Sequence, residues 1–214
     1  MNFKAFIADA IVSDGRLTAG QALLVENGLA AGFCPENDIP IGTECVTLKG
    51  LMIAPGLVDA QVNGGGGILF NDDLSEKGIL DMAAAHRAAG TTSFLPTLIS
   101  DSPEKTTLAI DAIRAFRQKN DGAGVLGIHL EGPFLNPARS GIHEKDIIAK
   151  ADTSFLKTQN FDGLGSCLIT IAPEMFAKGA LAKIYEKGVI LAAGHSAADK
   201  DQLAQAKLYR HLGF

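Results

Sequence analysis

Two side chains able to bind a metal stand directly after short apolar segments of this sequence. Glu131 follows the apolar segment of residues 125–130, and Gly132 and Pro133 then end that segment. His195 follows a second apolar segment, residues 189–194, although each side chain alone is also typical of an ordinary polar loop. Carboxylate and imidazole are both good ligands for Zn²⁺ or Fe²⁺. Because the loops after parallel barrel strands meet on one face, the pair favours a shared metal site.

The segments that must position these side chains alternate between strand and helix patterns from residue 51 onward. Five strands are predicted, at residues 52–62, 91–98, 125–131, 167–171 and 189–195. Helices are predicted at residues 75–89, 102–118, 175–187 and 199–207, with Ser75 as an N-cap and Pro103 in a first turn. This alternation is typical of a parallel α/β fold, and five strand–helix units are fewer than the eight of a complete barrel.

The first fifty residues have a different pattern. Short strands are predicted at residues 3–12, 21–25 and 43–48, and Asp14-Gly15 and Asn27-Gly28 are turn signals. Three or four short strands bury little apolar surface, which argues against a self-contained β-domain. The sequence therefore predicts two domains, a small N-terminal β-unit at residues 1–50 and an α/β domain at residues 51–214.

Composition and charge argue against several function classes. The net charge is −5 without a cluster of Lys or Arg, so nucleic acid is not an expected partner. No apolar run approaches the ~20 residues of a membrane span, and Asp9 in the first apolar stretch argues against a signal peptide. The three cysteines, Cys34, Cys45 and Cys167, lack metal-site spacing, so we expect reduced thiols and a cytoplasmic protein.

Three motifs carry a resemblance to a known family. They are His-Leu-Glu-Gly-Pro-Phe-Leu at 129–135, Ala-Gly-His-Ser-Ala-Ala at 193–198, and Ala-Pro-Gly-Leu-Val-Asp-Ala-Gln-Val-Asn with four following glycines at 54–67. In order and content they resemble the N-acetylglucosamine-6-phosphate deacetylases of the amidohydrolase superfamily, and the likeness extends to about residue 206. The resemblance implies a (β/α)₈ barrel, here incomplete with about five strand–helix units. Residues 1–50 would then be part of a β-sandwich beside it.

The resemblance also implies a reaction, the metal-dependent hydrolysis of the acetamide of N-acetyl-D-glucosamine 6-phosphate. The products are glucosamine 6-phosphate and acetate, as in amino-sugar catabolism. Glu131 and His195 are then ligands of one divalent metal ion, Zn²⁺ or alternatively Fe²⁺. His143 is expected to contact the substrate and to stabilise the oxyanion by donating a hydrogen bond. The implied partner is a small amino-sugar phosphate, and the full-length protein is expected to be a homodimer.

Three further residues, Gln61, Asn63 and Ile142, are expected near the substrate by the same resemblance. Amides are weak metal ligands, so Gln61 and Asn63 either hydrogen-bond the substrate or the water on the metal, or cap the strand and order the glycines. His129 lies two residues before Glu131 on the same side of a strand. It either supports the metal ligand or is a buried histidine with its own partners.

Two parts of the family's site have no clear counterpart in the sequence. Family members use a third ligand, a His at the end of strand six, and an Asp at the end of strand eight as general base. His211 is the one histidine after His195, and it either fills the first role or lies in a solvated tail. No residue matches the Asp. We therefore expect the N-terminal portion of such a deacetylase, with little or no activity.

Two alternatives stay open on the sequence. The first is a non-catalytic remnant or interaction protein. The second is another amidohydrolase, such as a cyclic-amidase-like enzyme.

Overall fold

The computed structural model describes residues 3–120, 122–150, 152, 154–177 and 179–205. The chain divides into two compact units, residues 1–56 and residues 57–214. Across the described ranges, no helix has the length and apolar character that crossing a membrane requires.

The first unit is a five-stranded sheet arranged around its long first strand. Its strands are β1 (Phe3–Ser13), β2 (Arg16–Thr18), β3 (Gln21–Glu26), β4 (Leu29–Pro35) and β5 (Glu44–Ile53). Strand β1 is antiparallel to β2 and β3 and parallel to β5, and β4 pairs with β3. The predicted turns are confirmed, because Asp14 and Asn27 have φ of 50° and 52° and each precedes a glycine.

The second unit contains a parallel sheet that curls as half of a barrel. Its strands and one small antiparallel hairpin are β6 (Leu57–Val62), β7 (Gly64–Gly65), β8 (Ile68–Leu69), β9 (Thr91–Ile99), β10 (Gly127–Glu131), β11 (Ser166–Ile171) and β12 (Ile190–Ala193). The parallel strands lie in the order β6-β9-β10-β11-β12, and β7 pairs with β8. The predicted α/β class and the five parallel strands are confirmed.

Helices and single turns connect these strands. The helices are α1 (Glu76–Ala88), α2 (Pro103–Lys119), α3 (Lys145–Lys150), α4 (Phe155–Thr158), α5 (Ala180–Tyr185) and α6 (Lys200–Gln205). Ser75 and Ser102 are the N-caps of α1 and α2, and each hydroxyl accepts a hydrogen bond of 3.1 Å from the N–H three residues later. Each cap satisfies a backbone donor that has no partner inside the helix.

The structure differs from the predicted strands and helices at two boundaries. Residues 52–62 do not form one strand, because Met52 pairs with Ala10 in the first unit and Pro55, which has no N–H to donate, lies between β5 and β6. Residues 175–187 do not form one helix either. Met175 ends a 3₁₀ turn, and α5 begins only after Gly179, whose φ of 80° is incompatible with a continuous helix.

Alternation along the parallel strands separates an apolar face from a polar one. The apolar face packs on α1 and α2, and its buried members include Phe94, Leu98, Ile128, Leu130, Ile169, Ile171 and Leu191 from strands with Ile79, Met82, Ile110, Ile113 and Phe116 from helices. The opposite face carries polar groups, with His129 beside Thr97 and Glu131 beside Thr170 in the strand register. The sheet therefore directs polar side chains toward the ends of β10 and β11.

Candidate metal centre

Glu131 is the last residue of β10 and is only 8% exposed. Its Oε1 lies 3.0 Å from Nε2 of His195 and 3.7 Å from Nε2 of His143. Its Oε2 accepts a hydrogen bond of 2.9 Å from the amide nitrogen of Gln61. One carboxylate oxygen is thus held by an amide, while the other faces two imidazole rings.

The surroundings of Glu131 keep this carboxylate charged. His143 contributes most to lowering its pKa, although at 3.7 Å its Nε2 is beyond an ordinary hydrogen-bond length. Burial opposes the effect, and the closer contact with His195 adds to it. Together they lower the pKa of Glu131 to about 2. The side chain is therefore an anion at neutral pH, which is the form that binds a metal.

His195 follows β12, and Nε2 of its ring lies against Glu131. Its Nδ1 lies 2.9 Å from the carbonyl oxygen of Arg139, and since a carbonyl only accepts, Nδ1 carries the proton. Nε2 points at the Glu131 carboxylate, to which it donates when the ring is protonated, and loss of that proton leaves a lone pair for a metal ion. A metal-binding histidine usually donates its other N–H in this way, which fixes the ring orientation.

The backbone at His195 is also restrained. Its φ is 49°, in the left-handed region that residues other than glycine seldom adopt, and its carbonyl accepts a 3.0 Å hydrogen bond from the N–H of Asn136. The preceding Gly194 has no room for a side chain, because a Cβ there would lie 2.5 Å from Cγ2 of Thr170. The loop conformation that carries His195 therefore depends on neighbouring segments.

His143 shows the opposite tautomer. The backbone N–H of Ser100 donates to its Nδ1 at 3.2 Å, and the Ser100 hydroxyl lies 2.8 Å from the same nitrogen. A backbone N–H can only donate, so Nδ1 has the lone pair and Nε2 of the neutral ring carries the proton. His143 is 4% exposed and its ring meets that of His195 edge-on, with centroids 4.7 Å apart. It therefore offers a hydrogen-bond donor beside Glu131.

These three side chains fit a single divalent ion with a donor beside it. One ligand-type atom from each of Glu131, His143 and His195 lies within 4.8 Å of the others. Tetrahedral Zn²⁺ with bonds of about 2.0–2.2 Å separates neighbouring ligand atoms by roughly 3.3–3.5 Å. The distance of 3.0 Å between Glu131 and His195 needs only a small opening to meet that value. In neutral rings, Nε2 of His195 can bind such an ion, whereas Nε2 of His143 carries an N–H.

The other residues predicted for the site have different surroundings in the structure. The side-chain amide of Gln61 contacts Glu131 directly, and the backbone N–H of Gln61 donates to Oδ1 of Asp59 at 2.9 Å. Asn63 follows β6, where its carbonyl accepts from the N–H of Phe70 at 2.8 Å. Ile142, next to His143, is 82% exposed. His211 lies outside the described residues.

Gly64 and Gly65, the first two glycines after Asn63, are required by the chain's own packing. A Cβ on Gly64 would lie 2.2 Å from the carbonyl oxygen of Ile68, and one on Gly65 would lie 2.9 Å from the ring of His86. That ring also contacts the Gly64 carbonyl at 2.9 Å and stacks on Phe94. Gly64 thus permits a close approach within the β7–β8 hairpin, and Gly65 permits one between that hairpin and α1, so neither needs a ligand as explanation.

His129 is a buried histidine with its own partners. Nδ1 lies 3.2 Å from the hydroxyl of Thr97, and Nε2 lies 2.8 Å from the hydroxyl of Thr170. Burial lowers the pKa of His129, with the charge of Glu131 acting in the opposite direction. The neutral ring therefore bridges β9 and β11 under the site.

Sequence reasoning missed Ser100 and Glu174, which hold the site from two other loops. Ser100 follows β9, and Glu174 lies three residues after the end of β11. Both obey the rule that singled out Glu131 and His195, a polar residue just beyond a parallel strand. A polar residue after a strand is visible in the sequence, but this pattern does not show which loops contact each other.

Comparison with known proteins is consistent with this geometry. The Amidohydrolase family model matches residues 52–207. An N-acetylgalactosamine-6-phosphate deacetylase from Shewanella sp. (strain ANA-3) is 34% identical, over 94% of this chain and 52% of its own length. The chain spans about half the length of the curated relatives it matches.

Solved structures of deacetylases are also similar to this chain. N-acetylglucosamine-6-phosphate deacetylase from Pasteurella multocida superposes with a TM-score of 0.86 at 30% identity, covering 96% of this chain and 54% of that one. A mutant of the Mycobacterium smegmatis enzyme, in complex with N-acetyl-D-glucosamine 6-phosphate, gives a TM-score of 0.79 at 26% identity, covering 97% and 53%. The family match covers well over half of the sequence, and the chain belongs to the amidohydrolase family.

Proposed function

We propose that this chain supplies two metal ligands and a substrate-facing hydrogen-bond donor to an amino-sugar-phosphate deacetylase. The observation that carries the proposal is the pair of opposite tautomers around one buried carboxylate. The neutral ring of His195 offers a lone pair next to Glu131, and the neutral ring of His143 offers an N–H. The reaction would be hydrolysis of the acetamide of N-acetyl-D-glucosamine 6-phosphate. Water adds to the carbonyl carbon and the C–N bond breaks, which gives acetate and glucosamine 6-phosphate.

The chain's residues would divide the work by protonation state. The chemistry that a divalent ion supplies when bound is polarisation of the amide carbonyl and activation of a water molecule at neutral pH. Glu131 and His195 hold the ion, and Gln61 restrains the second oxygen of Glu131. His143 donates from Nε2 to the carbonyl oxygen as negative charge develops there, a contribution of about 10²–10³ in rate for one such donor. No described residue is assigned the proton transfer to the leaving amine.

The comparisons support the substrate class. Relatives of this chain are named for deacetylation of two epimers, N-acetylglucosamine 6-phosphate and N-acetylgalactosamine 6-phosphate. The second epimer is a specific alternative, because the relative named for it matches 94% of this chain at 34% identity. Both sugars present the same acetamide, so the proposed chemistry is unchanged.

We further propose Zn²⁺ as the metal, with Fe²⁺ as the alternative, since both accept a carboxylate and an imidazole. We propose a cytoplasmic location, which the free state of Cys34, Cys45 and Cys167 supports. The N-terminal β-unit would belong to a β-sandwich, and the assembly would be a homodimer.

The metal assignment is tested by equilibrium dialysis with Zn²⁺. We expect Glu131→Gln and His195→Ala each to lower occupancy, and His143→Ala to leave it within a few-fold of the unmodified chain. His86→Gln is the matched control, because it removes a histidine that lies on α1 and contacts Gly64. Unchanged occupancy in both ligand variants would refute the site.

The reaction is tested in a chimera of this chain with the C-terminal half of the Pasteurella multocida enzyme, because the chain covers 54% of that protein. Acetate release is followed with both acetamido sugar phosphates. We expect activity that falls about 10²–10³-fold in His143→Ala with little change in Zn²⁺ content. A soluble, Zn²⁺-loaded chimera without acetate release would favour the non-catalytic alternative.

A further inference from the structure

The carboxylate of Glu174 joins three loops at the carboxyl ends of neighbouring strands. Its Oε1 accepts hydrogen bonds from the amide of Asn136 at 2.9 Å and from the N–H of Ala197 at 2.6 Å. Its Oε2 accepts from the hydroxyl of Ser196 at 2.6 Å. These partners lie in the loops after β10 and β12, and Glu174 itself follows β11. The proposed mechanism gives this carboxylate no role.

The same loops hold His195 on both sides. Asn136, whose side chain binds Glu174, donates its backbone N–H to the His195 carbonyl. Arg139, in the 3₁₀ turn that follows Asn136, accepts from Nδ1 of the His195 ring. Ser196 and Ala197, the two residues after His195, are both bound to Glu174. The carboxylate therefore fixes the segment of His195 against the loop that orients its ring.

This restraint opposes the cost of an unfavourable backbone conformation at His195. A non-glycine residue in the left-handed region is strained and persists only where neighbours enforce it. His195 has a φ of 49°. Burial raises the pKa of Glu174, but hydrogen bonds from Ser196, Asn136 and Ala197 outweigh it and hold the pKa below its ordinary value. The group is thus a charged acceptor, and hydrogen bonds to a charged group are the stronger kind.

We propose that Glu174 is a positioning residue that holds His195 in its metal-binding conformation by tying the loops after β10 and β12 together. The inference rests on the proposed metal site, and it adds a residue that does not itself touch the metal or the substrate. Removing a hydrogen-bonding group outside the ligand set typically lowers metal affinity about 10- to 100-fold. Glu174→Ala is expected to do the same.

The test compares Zn²⁺ dissociation constants of the full chain and its variants by competition with a chelator. We expect Glu174→Ala to weaken binding about 10- to 100-fold. We expect Glu174→Gln to recover part of the loss, because its carbonyl oxygen still accepts from Asn136 and Ala197. Asp152→Ala is the matched control, since Asp152 accepts from the N–H and hydroxyl of Ser154 within its own loop. The control should bind Zn²⁺ as the unmodified chain does.

A second measurement separates positioning from loss of stability. In the metal-free chain, the ¹⁵N shifts of the neutral His195 ring report whether the proton stays on Nδ1. Glu174→Ala should mix the two tautomers, and Asp152→Ala should not. In a His195→Ala background, Glu174→Ala should cause no further loss of Zn²⁺ affinity.

The outcomes distinguish this inference from the metal assignment. If His195→Ala leaves Zn²⁺ binding unchanged, the metal assignment is wrong, and the ¹⁵N shifts still decide whether Glu174 positions the ring. If His195→Ala abolishes binding while Glu174→Ala keeps the affinity and ring shifts of the unmodified chain, the inference about Glu174 is overturned. A lowered melting temperature with both readouts unchanged overturns it as well.

Discussion

Protonation of Glu131 should make the stability of the metal-free chain depend on pH in a way that one substitution removes. The pKa of this side chain is lowered from its ordinary 4.5 to about 2 in the folded chain. The unfolded state therefore binds more protons between these values, so the free energy of unfolding rises with pH in that window. The contribution is complete above about pH 5 and is lost as the pH falls toward about 2.

The size of the effect follows from the shift in pKa. One pKa unit corresponds to about 1.4 kcal/mol, so the ionised carboxylate contributes about 3 kcal/mol at neutral pH. The side chain is about 10% exposed, so little of this is screened by water. Glu131→Gln keeps the shape of the side chain and cannot ionise. The difference in unfolding free energy between the two proteins should therefore shrink by about 3 kcal/mol from about pH 6 to about pH 2.

Urea denaturation in the presence of a chelator measures this difference. Glu76→Gln is the matched control, because Glu76 also has a lowered pKa, through hydrogen bonds from Lys119 and Asn120, but is exposed to solvent. The difference in unfolding free energy between Glu76→Gln and the unmodified chain should change much less with pH. A curve for Glu131→Gln that does not change with pH would refute the argument that the two histidines hold this carboxylate ionised.

Three other predictions concern packing, capping and thiol reactivity. Gly194→Ala should destabilise the chain by about 1–3 kcal/mol in thermal denaturation because its Cβ meets Thr170. Adding Thr170→Ser, which removes the clashing methyl, should restore much of that loss. Ser102→Ala should cost about 1 kcal/mol in urea denaturation by removing a helix N-cap; no change would mean that the cap hydrogen bond contributes nothing. A thiol reagent at about pH 8 should modify Cys45 readily, because its side chain is exposed to solvent. It should reach Cys167 only after unfolding, since burial raises its pKa to about 12; equal labelling rates would contradict this.

Local chemistry in the sequence was enough to predict much of the fold. Ser75 and Ser102 begin the helices they were expected to begin, and the Asp14 and Asn27 turns form as expected. Each of these features depends on a hydrogen bond or a backbone angle within a few residues. Where a boundary depended on distant partners, prediction failed. Met52 belongs to β5 because it pairs with Ala10, and no local pattern marks that contact.

The sequence by itself also determined which side chains could bind a metal, since ligand type and position after an apolar strand are visible in the residues around Glu131 and His195. Only the tertiary structure decided what each group does. The carbonyl of Arg139 puts the proton on one nitrogen of His195, and the N–H of Ser100 puts it on the opposite nitrogen of His143. Glu174 joins loops from three strands in the same way. These hydrogen bonds link segments far apart in sequence, so their partners are set by how the parallel strands bring loop ends together and not by any neighbouring residue.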